Sequence, residues 1–113
     1  MAATTTDQPP VKPPATPTDC TAVNGYNWNS RTAYAICMAE SRGNPDATGY
    51  NQNGTADRGL MQVNSIHADM VGGNLASLYD PATNIKIAYS LSKGGTDWTA
   101  WSTYNNGAYR QWL

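Results

Sequence analysis

Ala39-Glu40-Ser41-Arg42-Gly43-Asn44-Pro45, followed after a polar interval by Ala56-Asp57-Arg58-Gly59-Leu60-Met61-Gln62-Val63-Asn64-Ser65, is the part of this 113-residue chain whose reading decides the fold. Upstream of Glu40 the pattern is helical. A helix is expected from 29 or 30 to 42, with Ser30 as its N-cap, Ala33, Ile36, Cys37 and Glu40 at helical spacing, and Gly43 with Pro45 as a stop. Glu40 thus shares a stripe with apolar residues in the last turn. Desolvation there and the negative end of the helix dipole both favour its protonated form.

The interval from 44 to 57 is rich in Asn, Gly, Asp and Thr, and Gln52-Asn53-Gly54-Thr55 suits a tight turn, so a short irregular hairpin is expected. Asp57 would leave that hairpin within reach of water and polar partners. Asp46-Ala47-Thr48-Gly49-Tyr50-Asn51 lacks the ligand spacing and terminal Glu of a calcium loop. Two carboxyl groups in unlike surroundings can divide into a proton donor and an anion, the combination that glycosidic bond cleavage uses.

Downstream, a short helix is expected over 65–70, broken at Gly72-Gly73, with His67 read as a surface residue. Asp80 as N-cap, Pro81 at the first helical position and Gly94-Gly95 beyond the end mark the clearest helix. Its apolar residues Ala82, Ile85, Ile87, Ala88, Tyr89 and Leu91 point to a helix enclosed by others. A last helical stretch is expected over 98–104. The fold class that follows is α+β, mainly α, with a short irregular β-hairpin beside a cleft.

Residues 1–19 read as a Pro/Thr-rich linker or tail, holding five of the seven prolines, and 20–113 as one small domain with a single core. A formal net charge of -1 with 13% charged residues lacks the basic footprint of a nucleic-acid binder. No apolar run is long enough for membrane insertion, and no secretory signal opens the chain. Four Trp and seven Tyr against no Phe give flat rings with a polar edge, suited to sugar faces and equally to a small core. Cys20 and Cys37, the only cysteines, either bridge the incoming segment to the first helix, closing a loop for about 3 kcal/mol of entropic stabilisation, or stay reduced. With His67 the only histidine, zinc-ligand spacing is missing and no metal or cofactor is expected.

Glu40 through Ser65 resembles the central segment of animal-type lysozymes: the catalytic Glu-Ser, the Asn-rich hairpin, the second catalytic Asp, then Gly-Leu-Met-Gln-Val-Asn-Ser. Asp97-Trp98-Thr99-Ala100-Trp101 is similar to their Ala-Trp-x-Ala-Trp element, whose first Trp packs beside the catalytic Glu. Glu40-Ser41, Asn44-Pro45, Gly59-Leu60-Met61-Gln62 and Tyr104-Asn105-Asn106-Gly107 resemble the motifs of bacterial and phage soluble lytic transglycosylases. Both families share one lysozyme-like fold, and the resemblance covers roughly residues 26 to 113. The disulfide framework and positive charge of animal lysozymes are absent here. A compact bacterial or phage form is therefore implied, a cell-wall lysin, virion-associated or exported, expected to work as a monomer and to be joined to other modules.

The resemblance implies a muramidase that cleaves the β-1,4 bond between N-acetylmuramic acid and N-acetylglucosamine in peptidoglycan. Glu40 would protonate the leaving oxygen, and Asp57 would stabilise or trap the oxocarbenium-like centre. Lysozyme itself is the reference case for this division of roles, so its magnitudes describe a relative. By the same analogy Gln62 and Asn64 bond sugar acetamido groups, Trp98 keeps Glu40 dry, and Tyr104 holds its carboxylate. A lytic transglycosylase would use one Glu and release anhydro ends; Tyr104-Asn105-Asn106-Gly107 fits that reading, whereas Asp57 and the hairpin fit hydrolysis. An inactive glycan-binding or structural module would usually have lost one of the two carboxylates.

Overall fold

Asn29, one residue ahead of the expected cap, starts helix α1, Ser30–Ser41, because its side-chain oxygen reaches the N–H of Thr32 at 3.0 Å. The computed structural model describes residues 19–113, so the linker reading lies, apart from Asp19, outside the described residues. Helix α1 ends as Arg42 and Gly43 both turn left-handed, with φ of 55° and 79°. Its inward stripe of Ala33, Ile36 and Cys37 is fully buried. A disulfide joins Cys37 to Cys20, with Cα atoms 6.0 Å apart, and ties the incoming chain to the middle of the helix.

After α1 the chain forms a three-stranded antiparallel sheet rather than a lone hairpin: β1 Thr48–Tyr50, β2 Ala56–Arg58 and β3 Val63–Asn64. Asp57 sits in the central strand, paired with Gly49 on one side and Asn64 on the other. The β2–β3 turn is held by a buried amide. Asn84 accepts from the N–H of Met61 at 2.8 Å and donates to the carbonyls of Arg58 and Leu78 at 2.8 and 2.9 Å, using its full hydrogen-bonding capacity on both donors. A side chain at Gly59, φ 82°, would sit 2.2 Å from the Leu78 carbonyl and 2.3 Å from the Asn84 amide.

Two 3-10 turns over Ser65–Val71 meet at a kink at His67, and a further 3-10 helix, Leu75–Tyr79, leads into α2, Pro81–Leu91. Asp80 caps α2 through the N–H of Thr83, as its position before Pro81 dictates. Helix α2 is amphipathic rather than enclosed. Ile85, Ile87 and Ala88 are buried, while Ala82, Lys86 and Ser90 form an exposed stripe at fourfold spacing.

The final α-helix is shorter than its sequence pattern suggests: α3 covers only Ser102–Asn105. The Asp97 carboxylate accepts from the backbone N–H and hydroxyl of Thr99, holding that segment in a turn that competes with helix formation. Trp101 then caps α3 with extended backbone, and its indole donates to the Met61 carbonyl at 2.8 Å. Tyr26, Trp28, Tyr89, Trp98 and Trp101 form a chain of ring contacts with centroids 5.2 to 5.6 Å apart, extending the aliphatic core. A C-terminal 3-10 helix, Ala108–Trp112, packs on α1, where the Arg42 guanidinium lies 5.1 Å from the Trp112 ring centroid. Among the described residues no helix is long and apolar enough to cross a membrane.

Candidate active site

Glu40 from the last turn of α1 and Asp57 from the middle of β2 line one groove of about 180 Å³. Helix periodicity brings Glu40 there: positions 33, 36, 37 and 40 share a face, and the last of them emerges at the core's edge, half-buried. Burial raises its carboxyl above the ordinary value, and the negative charge of Asp57 pushes in the same direction. Hydrogen bonds from Thr103 oppose that rise; its hydroxyl donates to Glu40 Oε2 at 2.8 Å. Tyr104, expected in that role, instead stacks on Tyr109 with ring centroids 4.9 Å apart and does not line the groove. Adjacent residues of a helical turn point about 100° apart, so only one of the pair can face Glu40.

Asp57 is framed by amides. Asn64 donates to its Oδ1 at 2.8 Å and Asn51 to its Oδ2 at 3.3 Å. Both donors come from chain neighbouring Asp57 across the sheet, which is why the central-strand position matters. The same Asn64 amide also donates to the Thr55 hydroxyl at 3.1 Å, and its carbonyl accepts from the N–H of Ile66 at 3.0 Å. Asn64 lines the groove, yet its polar atoms serve the protein rather than a ligand.

Gln62 behaves similarly. Its backbone is left-handed, φ 52°, a conformation that costs a non-glycine residue about 1 kcal/mol or more, and its amide donates to the carbonyls of Ala47 and Gly59, each at 3.0 Å. The expected reading of sugar acetamido groups by Gln62 and Asn64 therefore gives way to structural roles for their N–H groups. Trp98 does not line the groove: it is buried between Trp28 and Trp101, and Trp101 supplies the ring that does. The two tryptophans lie three positions apart in a turn, and only the second is pulled to the groove by its bond to Met61.

The sequence assigned no site role to Val63, His67, Leu91, Ala100, Trp101 or Ser102, which also line the groove, nor to Thr103, which bonds Glu40. Thr103 and Ser102 precede the Tyr104-Asn105-Asn106-Gly107 motif, the one signal that could have drawn attention to them. His67, read as a surface residue, is half-buried and lines the groove. Its kinked 3-10 backbone leaves no periodic trace in the sequence.

The profile of a family described as a lysozyme-like domain matches residues 20–103. Three curated relatives are similar to this chain: the invasion protein IagB of Salmonella typhimurium strain SL1344, of strain LT2, and of Salmonella typhi. Each is 34% identical over 91 residues, covering 73% of this chain and 57% of the relative. The chain thus spans a little more than half the length of the curated relatives it matches. With the α+β architecture, the groove holding two carboxylates and a profile match across most of the domain, this chain belongs to the lysozyme-like domain family.

Proposed function

We propose that the chain hydrolyses the β-1,4 bond between N-acetylmuramic acid and N-acetylglucosamine, acting as a muramidase on peptidoglycan strands. The observation that carries this reading is the asymmetry between the two groove carboxyls. Glu40 is desolvated and biased toward its protonated form, whereas both oxygens of Asp57 accept from amide N–H groups, as a carboxylate's would. Glu40 gives its proton to the departing glycosidic oxygen as the C1–O bond breaks. Asp57 stabilises or traps the oxocarbenium-like centre, and a water that Glu40 deprotonates adds to C1 and restores the acid. The protein acts as a monomer, and the steps use two carboxyl groups and water alone.

A transglycosylase would let the muramyl 6-hydroxyl attack in place of water, with Glu40 alone in the acid-base role. Asn64 and Asn51, both directed at Asp57, favour the two-carboxylate route. Mass spectrometry of fragments released from purified sacculi tests both. Reducing muramyl ends are expected, with release lowered about 10²-fold or more by Glu40→Gln and by Asp57→Asn. Anhydromuramyl ends together with a fully active Asp57→Asn protein would assign the second route. No release by the unmodified protein would defeat both.

A further inference from the structure

We propose that His67 is a substrate-contact residue that reads the lactyl-bearing edge of the muramyl sugar and so favours muramyl-containing glycans over plain N-acetylglucosamine polymers. The inference rests on the muramidase reading above and on an inventory of the groove's donors. Four lining side chains other than the carboxyls carry an N–H group: Gln62, Asn64, His67 and Trp101. Gln62 gives its amide hydrogens to Ala47 and Gly59, Asn64 to Asp57 and Thr55, and Trp101 its single one to Met61. The imidazole of His67 has no hydrogen-bond partner among the described residues. Among the described residues of the lining it is the one side-chain N–H donor left for a ligand.

What it would meet follows from the rest of the lining. Among the described residues no Lys or Arg lines the groove, while Glu40 and Asp57 do. An acceptor-rich substituent is repelled by the carboxylate and gains little from Val63, Leu91 or Ala100, so it is directed toward the imidazole. The substituent that separates N-acetylmuramic acid from N-acetylglucosamine is such a group. Its lactyl ether ends in a carboxylate when free, or in an amide carbonyl when it bears a stem peptide. Either form accepts from a ring N–H. The kink that interrupts the 3-10 helix at His67, φ -93° and ψ 23°, follows directly on Ile66, whose N–H is held by Asn64, so the imidazole is carried on backbone anchored to the Asp57 network.

The test is the ratio of kcat/KM on muramyl-containing strands to kcat/KM on N-acetylglucosamine oligosaccharides, with the Kd from tryptophan fluorescence quenching taken instead where an oligosaccharide is not cut. For His67→Ala we expect the ratio to fall by about tenfold, the value of one lost hydrogen bond, through KM rather than kcat. His67→Gln retains an N–H donor and should recover part of the ratio. Running peptide-free and peptide-bearing strands in parallel separates a carboxylate contact from an amide carbonyl contact. An unchanged ratio in an active, folded His67→Ala protein, or His67→Gln no better than His67→Ala, would overturn the assignment while leaving the muramidase reading intact. Inactivity of the unmodified protein on sacculi would remove both.

Discussion

Thr103 Oγ1 donates to Glu40 Oε2 at 2.8 Å, joining residues 63 positions apart in sequence and placing a reversible hydroxyl against the desolvated Glu40 carboxyl. A hydroxyl can donate to the ionised form and accept from the protonated one, so the contact persists through a proton-transfer cycle. Because it stabilises the charged form more, it restrains the upward shift that burial imposes.

Replacing Thr103 with Val removes the hydroxyl at nearly constant volume. The basic limb of the pH–rate profile, set by loss of the Glu40 proton, should move to higher pH, because the bond that favoured ionisation is gone. Turnover at the optimum should fall about tenfold from lost orientation, and Thr103→Ser should restore the limb. An unshifted profile in a folded Thr103→Val protein would remove the positioning role.

Asn64 acts on Asp57 from the neighbouring strand. Asn64→Ala should lower sacculus cleavage by about tenfold or more and cost about 1 kcal/mol of stability, since it removes the 2.8 Å bond to Asp57 and the cap on the Ile66 N–H. Asn64→Asp keeps the cap but loses the donor and sets a second negative charge beside Asp57. It should therefore retain stability better at low pH than at neutral pH, with no recovery of activity; denaturant titrations at both pH values check this.

The Asn84 amide and Gly59 are a single device. Gly59→Ala drives a methyl into backbone and amide atoms at 2.2 and 2.3 Å in a left-handed conformation, and Asn84→Leu strands the Met61 N–H and two carbonyls in the core. Each should destabilise by about 2–4 kcal/mol, measured by urea unfolding. Because both damage the same turn, the double variant should lose clearly less than the sum of the two.

Glu40 also carries a stability signature. Its pKa is raised in the fold above the ordinary 4.5, so the native state binds the proton more tightly than the unfolded chain. The stability this contributes is fully present below about pH 4.5 and is lost as pH rises through the folded value. Glu40→Gln cannot ionise, so its Tm should exceed that of the unmodified protein near pH 7, with the advantage vanishing toward about pH 4. A Tm difference independent of pH in thermal melts would contradict a desolvated Glu40.

Helix α1 with its Glu at the inward edge, the Asp80-Pro81 start of α2, the polar turn before Asp57 and the α+β class were all legible in the sequence. Each rests on spacing within a few residues, where the helical period and the φ preferences of Asn, Gly and Pro decide the outcome. The groove's division of labour was not legible. That Thr103 rather than Tyr104 meets Glu40, that Trp101 rather than Trp98 lines the groove, and that Gln62 and Asn64 turn their N–H groups inward depends on contacts between segments up to 63 positions apart. Sequence determined which residue types reach the neighbourhood of the groove. Only the packing of α3 against α1, and of β2 and β3 into one sheet, decided which atoms face it, because a rotation of one residue along a short helix or strand exchanges the inward side chain for its neighbour.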